Sequence, residues 1–515
     1  MSRNKFSVVE NYPDKHGSRC GYCKSHNSSF SSGLWAHSMS VREYQTLIDR
    51  GWRRSGHYMY KPSMKQTCCP SYTIRCDVGD LQMSKSQKKV LKKFYNYLKF
   101  GDTQRNFRSG TSIGSDSVDG YMPDDVIPSH MEQATSEPAV IDLEKIQMDT
   151  SPSKEAEGSI CIKSKSKIGD DGKKQNDNAE ETSDFNLPST SLGKRGPEVE
   201  SEARPQQRKA KLIRLENKYN KLIRRGMTEE EAIQLTYGKK TSPEKKARSF
   251  EDYFPRPEDV SYFTHKFRVD LHSVSELEKN TVLLEETHRL FSKYQQAVHG
   301  DTPEKCSKEQ LIRFLVDSPL FDPKSIQAPP SGFGSFHQQY WLNDRLMAVG
   351  VIDILPSCVS SVYFFYDPDF MFLSLGTYGA LQELYCTRWL TQVCPSIKFY
   401  YLGLYIHSCP KMCYKRKFCP SYLLCPETFT WHRIEKCLVL LEKSKYSRFE
   451  EDPNVVNKLQ CDVDVSKAMV VYKHRPMGYL RYKQLNPDAD DEDEMIEYVQ
   501  LVGEDCCQNL LLYRS

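Results

Sequence analysis

Residues 346–367, LMAVGVIDILPSCVSSVYFFYD, decide the fold. Leu346–Leu355 is a nearly continuous apolar run with several β-branched residues, which predicts a strand buried on both faces. Pro356-Ser357-Cys358 predicts a turn, and Val359–Asp367 a second strand returning beside the first, ended by Pro368. Further on, Leu375, Tyr378, Leu381, Leu384, Tyr385 and Trp389 recur at helical spacing, and Lys398–Ile406, KFYYLGLYI, is strand-like again. A hairpin followed by a helix and a third strand predicts a mixed α/β layer with the sheet at its centre, an α+β or α/β fold.

Outward from this core, composition sets the frame. The chain has 515 residues, with 72 Lys+Arg against 68 Asp+Glu and a formal charge of +4. That length allows about three domains, or two large ones plus disorder. No window reaches the ~18 uninterrupted apolar residues of a membrane span, so no membrane partner is expected. The N-terminus has no apolar core of a secretory signal. The 18 cysteines are scattered and not packed into a short domain, which predicts reduced thiols in the cytoplasm, the nucleus or both.

Four zones follow. Residues 1–101 mix cysteines, aromatics and basic residues densely enough to fold. Residues 102–203 are polar, and Phe185 is the one aromatic between Ser151 and Ala210, so a disordered linker is expected. Residues 204–249 open with nine basic residues and one acid between Arg204 and Arg225, with Leu212, Leu215, Tyr219 and Leu222 at helical spacing. Residues 250–515 read as one large domain.

Several constellations carry chemistry. Cys20-Gly-Tyr-Cys23 has the spacing that lets two thiolates reach one ion, and Cys68-Cys69 offers two more, with Cys76 nearby. Zinc or an iron–sulfur cluster suits such a set, with His37 and His57 as spare ligands; reduced structural cysteines are the alternative. Ser84–Phe100 places Leu91, Phe94, Tyr95 and Leu98 on one helical face and Lys88, Lys89, Lys92 and Lys93 off it, either a phosphate-binding helix or a solvated face. His337, Gln338, Gln339 and Tyr340 gather donors and acceptors just ahead of the buried strand, as a pocket mouth would. Asp353 interrupts an apolar run, so it must be paired, hydrated or shifted in pKa. Tyr363, Tyr366, Asp367 and Asp369 extend that polar content. Lys411, Lys415, Arg416 and Lys417 follow a strand end, where α/β sheets bind ligands. Cys409, Cys413, Cys419 and Cys425 are unevenly spaced and read as buried or loop thiols.

RCGYCK (19–24), WAHSM (35–39), LIDRGWRRSGHYMYKP (47–62) and CCP (68–70) together resemble the N-terminal domain of eukaryotic arginyl-tRNA–protein transferases. GSFHQQYWL (334–342), VGVIDILPSCVSSVYFFYDPD (349–369), SLGTYGALQE (374–383), YYLGLYIHSCPKMCYK (400–415) and LLCPETF (423–429) resemble that family's C-terminal domain. The resemblance covers about residues 18–100 and 330–430. It implies transfer of arginine from Arg-tRNA to the N-terminal α-amine of proteins beginning with Asp, Glu or oxidised Cys, marking them for ubiquitin-dependent degradation. It implies a C-terminal domain like the GNAT acyltransferases, and zinc or an iron–sulfur cluster on Cys20, Cys23, Cys68 and Cys69.

On that reading the arginyl ester is already activated, and orientation and oxyanion stabilisation are the larger contributions. His337, Asp353 and Tyr363 are the candidate catalytic groups. Asp353, Asp367, Asp369 and Glu383 are candidates for the arginyl guanidinium. Lys411, Lys415, Arg416 and Lys417 are placed for the acidic acceptor side chain or the tRNA acceptor end, and Tyr340, Tyr363 and Tyr401 for stacking on the terminal adenine. Gln338, Gln339 and Tyr340 complete the substrate-binding set. A monomer is expected. The alternatives are a CoA-dependent N-acetyltransferase, whose Q/R-x-x-G-x-G/A loop is missing from 373–379, and an RNA-binding adaptor with a cysteine-rich finger.

Overall fold

We describe a computed structural model of the chain, covering residues 6–12, 17–101, 138–146, 210–237, 248–323, 327–457 and 463–515. Most of the expected linker, 102–203, and the start of the basic segment, Arg204–Lys209, lie outside the described residues. Two compact units are present, one comprising Met1–Lys165 and Ser249–Ser515, the other Ser166–Arg248. In the second unit, Ala210–Ile223 and Glu229–Tyr237 form helices joined by a turn at Gly226, with φ +83°.

The predicted hairpin is the middle of an eight-stranded sheet in the first unit. Its order is Trp431–Arg433, Ser421–Leu424, Tyr72–Asp77, Phe399–Tyr405, Cys358–Tyr366, Arg345–Leu355, Gly334–Leu342 and Phe267–Ser273. All nine residues of Gly334–Leu342 are buried, as are ten of the eleven in Arg345–Leu355. Helix Leu375–Val393 follows the hairpin as its periodicity predicts. Helix Lys85–Phe100 lies against it, burying Leu91, Phe94 and Leu98, and the Phe94 ring stacks on Tyr378 with centroids 3.8 Å apart. A capping box between Ser84 and Gln87 starts this basic helix.

A second sheet runs Arg475–Gly478, Met469–Tyr472, Leu510–Arg514, Ser7–Tyr12, Ser31–Ser40, Tyr58–Pro62 and Arg53–Ser55, with Leu320–Phe321 beside Ser31–Ser40. Strand pairing therefore crosses the expected boundary between residues 1–101 and 250–515. Tyr72–Asp77 hydrogen-bonds between two C-terminal strands, and Ser7–Tyr12 pairs in parallel with Leu510–Arg514. The mixed α and β content matches the expectation; the cysteine-rich N-terminal part is woven into the main body.

Candidate active site

The central sheet opens at one place. Cys358–Tyr366 runs parallel to Phe399–Tyr405, but the register holds only for Cys358–Phe399, Val359–Tyr400 and Ser360–Tyr401. Beyond those pairs both strands are irregular. The ladder with Arg345–Leu355 shifts between Ser361 and Tyr363, skipping Val362, and the ladder with Tyr72–Asp77 shifts between Tyr401 and Leu404. Gly403, at φ +71°, makes the second bulge in a conformation that L side chains avoid. Bulges re-aim backbone groups out of the ladder, and here they border a cavity of about 80 Å³ between the parting strands.

Glu383 is the one carboxylate among the residues lining this cavity. It stands on helix Leu375–Val393, is buried, and accepts a hydrogen bond from Tyr400 Oη to Oε2 at 2.7 Å. Gly350 admits it, since a Cβ there would lie 2.6 Å from Glu383 Oε1. The edge strand of the second sheet supplies Arg53, Arg54 and Ser55 to the opposite wall. Arg53 Nη2 donates to Gly403 O at 3.1 Å, and buried Lys415 donates to Leu404 O at 2.8 Å. Tyr363 also lines the cavity, its hydroxyl accepting from Gln295 Nε2 at 2.9 Å.

Three residues named from the sequence thus meet here: Tyr363, Glu383 and Lys415. The rest are engaged elsewhere. Asp353 is buried in a two-point ion pair with Arg54, Nε–Oδ2 2.8 Å and Nη2–Oδ1 2.5 Å, and also accepts from Ser335 Oγ at 2.7 Å. A carboxylate so saturated is a structural counter-ion and not a base. His337 is fully buried, with Nε2 2.9 Å from Leu315 O, and burial pulls it down to about 4. It does not line the cavity, and it is held neutral in the core. Gln339 Nε2 donates to Thr287 Oγ1 at 3.1 Å and Tyr340 Oη to Gln338 Oε1 at 2.6 Å, so the predicted pocket mouth is buried structure. Asp367 and Asp369 are tied to Lys293, at 2.6 and 2.8 Å, and to Arg345. Tyr401 donates to Asp49 and accepts from Arg75 Nη1 at 3.2 Å, away from the lining.

Lys411, Arg416 and Lys417 line a second cavity of about 240 Å³, which shares Tyr414 with the first. Lys88, Lys89, Lys92 and Lys93 are exposed on helix Lys85–Phe100, and Lys93 donates to Phe372 O.

The cysteines converge. The sulfurs of Cys20, Cys23, Cys68 and Cys69 all lie within 4.8 Å of one another, with Cys23 and Cys68 3.3 Å apart. A tetrahedral thiolate site with metal–sulfur bonds of about 2.3 Å has sulfurs about 3.8 Å apart, so this donor set fits one ion. The Tyr22 amide donates to Cys20 Sγ at 3.4 Å, the amide-to-thiolate contact expected of such a loop. Hydrogen bonding to Ser25 draws Cys23 down to about 6, while burial raises Cys68 and Cys69. The spare ligands go unused: His37 meets Glu10 at 3.2 Å, and His57 Nδ1 lies 2.6 Å from Ala36 O. Cys409, Cys413, Cys419 and Cys425 form no second cluster among the described residues.

The cysteine cluster and the cavity are neighbours. Tyr22, between Cys20 and Cys23, lines the cavity, and so does Met412, which packs with Cys20 and Cys69. Sequence reading missed Tyr22, Arg53, Arg54, Tyr400 and Tyr414. Each is a common residue in a cavity built from six separated stretches of chain, so no local pattern marks them.

The sheet parts between parallel strands, with a carboxylate in the gap and cations beside it. Comparison with known proteins supplies the class. The family profile described as Arginine-tRNA-protein transferase, C terminus, matches residues 286–425, and its N-terminus counterpart matches 18–89. Arginyl-tRNA--protein transferase 1 of Drosophila melanogaster is 36% identical over 516 residues, covering 98% of this chain and 99% of the relative. The protein of the same name from Arabidopsis thaliana is 36% identical, covering 86% of this chain and 75% of its own. An aspartate/glutamate leucyltransferase of Campylobacter jejuni is 34% identical over 95 residues, 18% of this chain and 38% of its own. The protein is an aminoacyltransferase. It belongs to the arginyl-tRNA–protein transferase family.

Proposed function

We propose that this protein transfers arginine from Arg-tRNA to the N-terminal α-amine of acceptor proteins beginning with Asp, Glu or oxidised Cys, marking them for ubiquitin-dependent degradation. The observation that carries the proposal is Glu383. In a family defined by arginyl transfer, a buried carboxylate in the parted sheet matches the guanidinium of the transferred residue. Tyr400 orients that carboxylate.

The chemistry asks little of side chains. An α-amine with an ordinary pKa of about 7.7–8.0 is partly free of its proton at neutral pH. The amine attacks the carbonyl carbon of the arginyl ester, a C–N bond forms, and the C–O bond to the ribose breaks. The amine's surplus proton leaves to solvent, and the departing ribose oxygen takes one up. Negative charge that gathers on the carbonyl oxygen is met by backbone amides freed from the ladder at the Val362 bulge, with Arg53 and Lys415 close by. Orientation in the cavity supplies the remainder. Cys20, Cys23, Cys68 and Cys69 would hold zinc or an iron–sulfur cluster, cross-linking two loops and setting the position of Tyr22 on the cavity wall. The enzyme acts as a monomer in the cytoplasm and nucleus. No described helix is long and apolar enough to cross a membrane.

The test uses labelled arginine on tRNA, a peptide beginning with Asp and a control beginning with Ala. Transfer to the Asp peptide alone is expected; no transfer to it refutes the activity, and equal transfer to both refutes the acceptor specificity.

A further inference from the structure

Two turns of unusual width converge on one side chain of the transfer cavity. Helix Thr281–Tyr294 runs into the π turn Gln295–His299, closed by the Gly300 amide on Gln295 O. A second π turn, Ile312–Val316, is closed by the Asp317 amide on Ile312 O at 2.8 Å. Such turns are rare and occur mostly at functional sites, and these two are the only ones among the described residues. Gln295, in the first, is 1% exposed and donates from Nε2 to Tyr363 Oη at 2.9 Å. Phe314, in the second, meets Tyr363 edge to face with ring centroids 5.1 Å apart. Phe314 and Tyr363 line the transfer cavity; Gln295 is not among the lining residues.

Tyr363 is the first residue past the step in register, where the ladder with Arg345–Leu355 skips Val362. Successive side chains of a strand point to opposite faces, so a slip of one residue would exchange the faces of Tyr363 and Phe364. Separate contacts hold each ring on its own face. Tyr363 stands against the two π turns. Phe364 stands against helix Leu375–Val393, where a Cβ at Gly379 would lie 2.2 Å from Phe364 Cε2, so only a bare backbone admits the ring. The bulge at Val362 is thereby pinned from both sides, and residues 360–364, which line the cavity, are pinned with it. On the Tyr363 side the ring contact with Phe314 tolerates sliding, whereas the hydrogen bond from Gln295 is directional and fixes the position of the hydroxyl.

We propose that Gln295 is a positioning residue for the transfer reaction: through the Tyr363 hydroxyl it holds the Val362 bulge in register, and so holds in place the strand backbone that meets the arginyl ester. The proposal rests on the arginyl-transfer reading. It gives a buried glutamine outside the cavity a part in turnover and none in the binding of either substrate.

Kinetics of full-length Q295L, Y363F and Q295L/Y363F with Arg-tRNA and an Asp-initiated peptide, beside urea unfolding of each, test the proposal. Q295L should lower kcat about tenfold, as loss of one buried hydrogen bond does, and leave both KM values within about twofold of wild type. Y363F removes the acceptor of the same bond with less change in packing and should also lower kcat. Because the two residues act through one bond, the double variant should be no slower than the slower single one. Q295E, which keeps a group able to bond to the hydroxyl, should recover part of the lost rate. Hydrogen exchange reads the bulge itself: amides of 360–364 should exchange faster in Q295L while those of helix Leu375–Val393 stay as protected as in wild type. Wild-type kcat in folded Q295L would overturn the proposal. A kcat that falls only as far as the folded fraction falls would do the same, leaving Gln295 a structural residue. Additive losses in the double variant would also overturn it, as would a raised KM for one substrate at unchanged kcat, which would place Gln295 on that substrate. Each of these failures can occur in an enzyme that still arginylates the Asp peptide, whereas absence of that transfer in the wild type would fail the activity itself.

Discussion

Arg54 and Asp353, 299 positions apart in the chain, form a two-point ion pair with side chains 2% and 0% exposed. The pair joins the edge strand Arg53–Ser55 of one sheet to the strand Arg345–Leu355 at the centre of the other. It is therefore a polar fastening between the two sheets, placed beside the cavity that Arg54 helps to line.

Removing one partner leaves a buried charge uncompensated, at a cost of about 3–5 kcal/mol. D353N and R54M should each lower the urea midpoint substantially, and the double change R54M/D353L should recover much of the loss. A double variant no more stable than the singles would show that the pair is not the source of the effect.

Glu383 should matter to the transferred amino acid and less to folding. E383Q keeps the shape but removes the charge that would pair with the guanidinium, which predicts a fall in kcat/KM for Arg-tRNA of about a hundredfold, equivalent to about 2–3 kcal/mol. Y400F removes the hydroxyl that donates to Glu383 Oε2 and should give a smaller loss, about tenfold. G350A would place a methyl 2.6 Å from Glu383 Oε1 and should impair transfer like E383Q, with added destabilisation. Steady-state kinetics with varied Arg-tRNA and varied acceptor peptide separate the two substrates.

The cysteine cluster predicts one tightly held metal centre per chain. Elemental analysis of anaerobically purified protein should find zinc or iron, and C20S or C69S should lose it together with arginyl transfer, because Tyr22 and Met412 connect the cluster to the cavity. Loading must displace protons from Cys68 and Cys69, whose burial raises them, whereas Cys23 at about 6 is already largely thiolate at neutral pH. Metal affinity should therefore weaken as the pH falls, most steeply once Cys23 also protonates near pH 6. Affinity independent of pH would exclude thiolate ligation.

His337 gives stability a pH dependence of defined sign. Burial lowers it from 6.5 to about 4, so the unfolded chain binds the extra proton first. Its contribution is complete above pH 6.5 and is lost as the pH falls toward 4, by roughly 3 kcal/mol over that window. Thermal unfolding between pH 7 and 4 should show this arm of the profile, and H337L, which cannot take up a proton, should flatten it. Arginyl transfer at pH 7 should survive H337L far better than E383Q, since His337 lies outside the cavity lining.

Much of this protein is legible along the chain because its signals are local. Apolar runs and a turn mark the hairpin of Arg345–Leu355 and Cys358–Tyr366, helical spacing marks Leu375–Val393, and two short cysteine motifs mark a cluster whose four sulfurs converge and could hold a metal ion. Ordered motifs on either side of the linker were enough to suggest the family. What a chain cannot display is which distant residues share a volume. Asp353 and His337 carry the right chemistry in the right segment, yet Arg54 and Leu315 claim them, while Glu383 gains its role from Tyr400, Gly350 and two bulged strands. Folding closes loops of hundreds of residues to thread Tyr72–Asp77 into the C-terminal sheet and bring Arg53–Ser55 to its face. The hairpin, the helix after it and the family resemblance were legible in sequence alone because each is carried by short contiguous motifs. The pairing of charges and the opening of the sheet were decided only in the tertiary structure, because burial and electrostatics act through space.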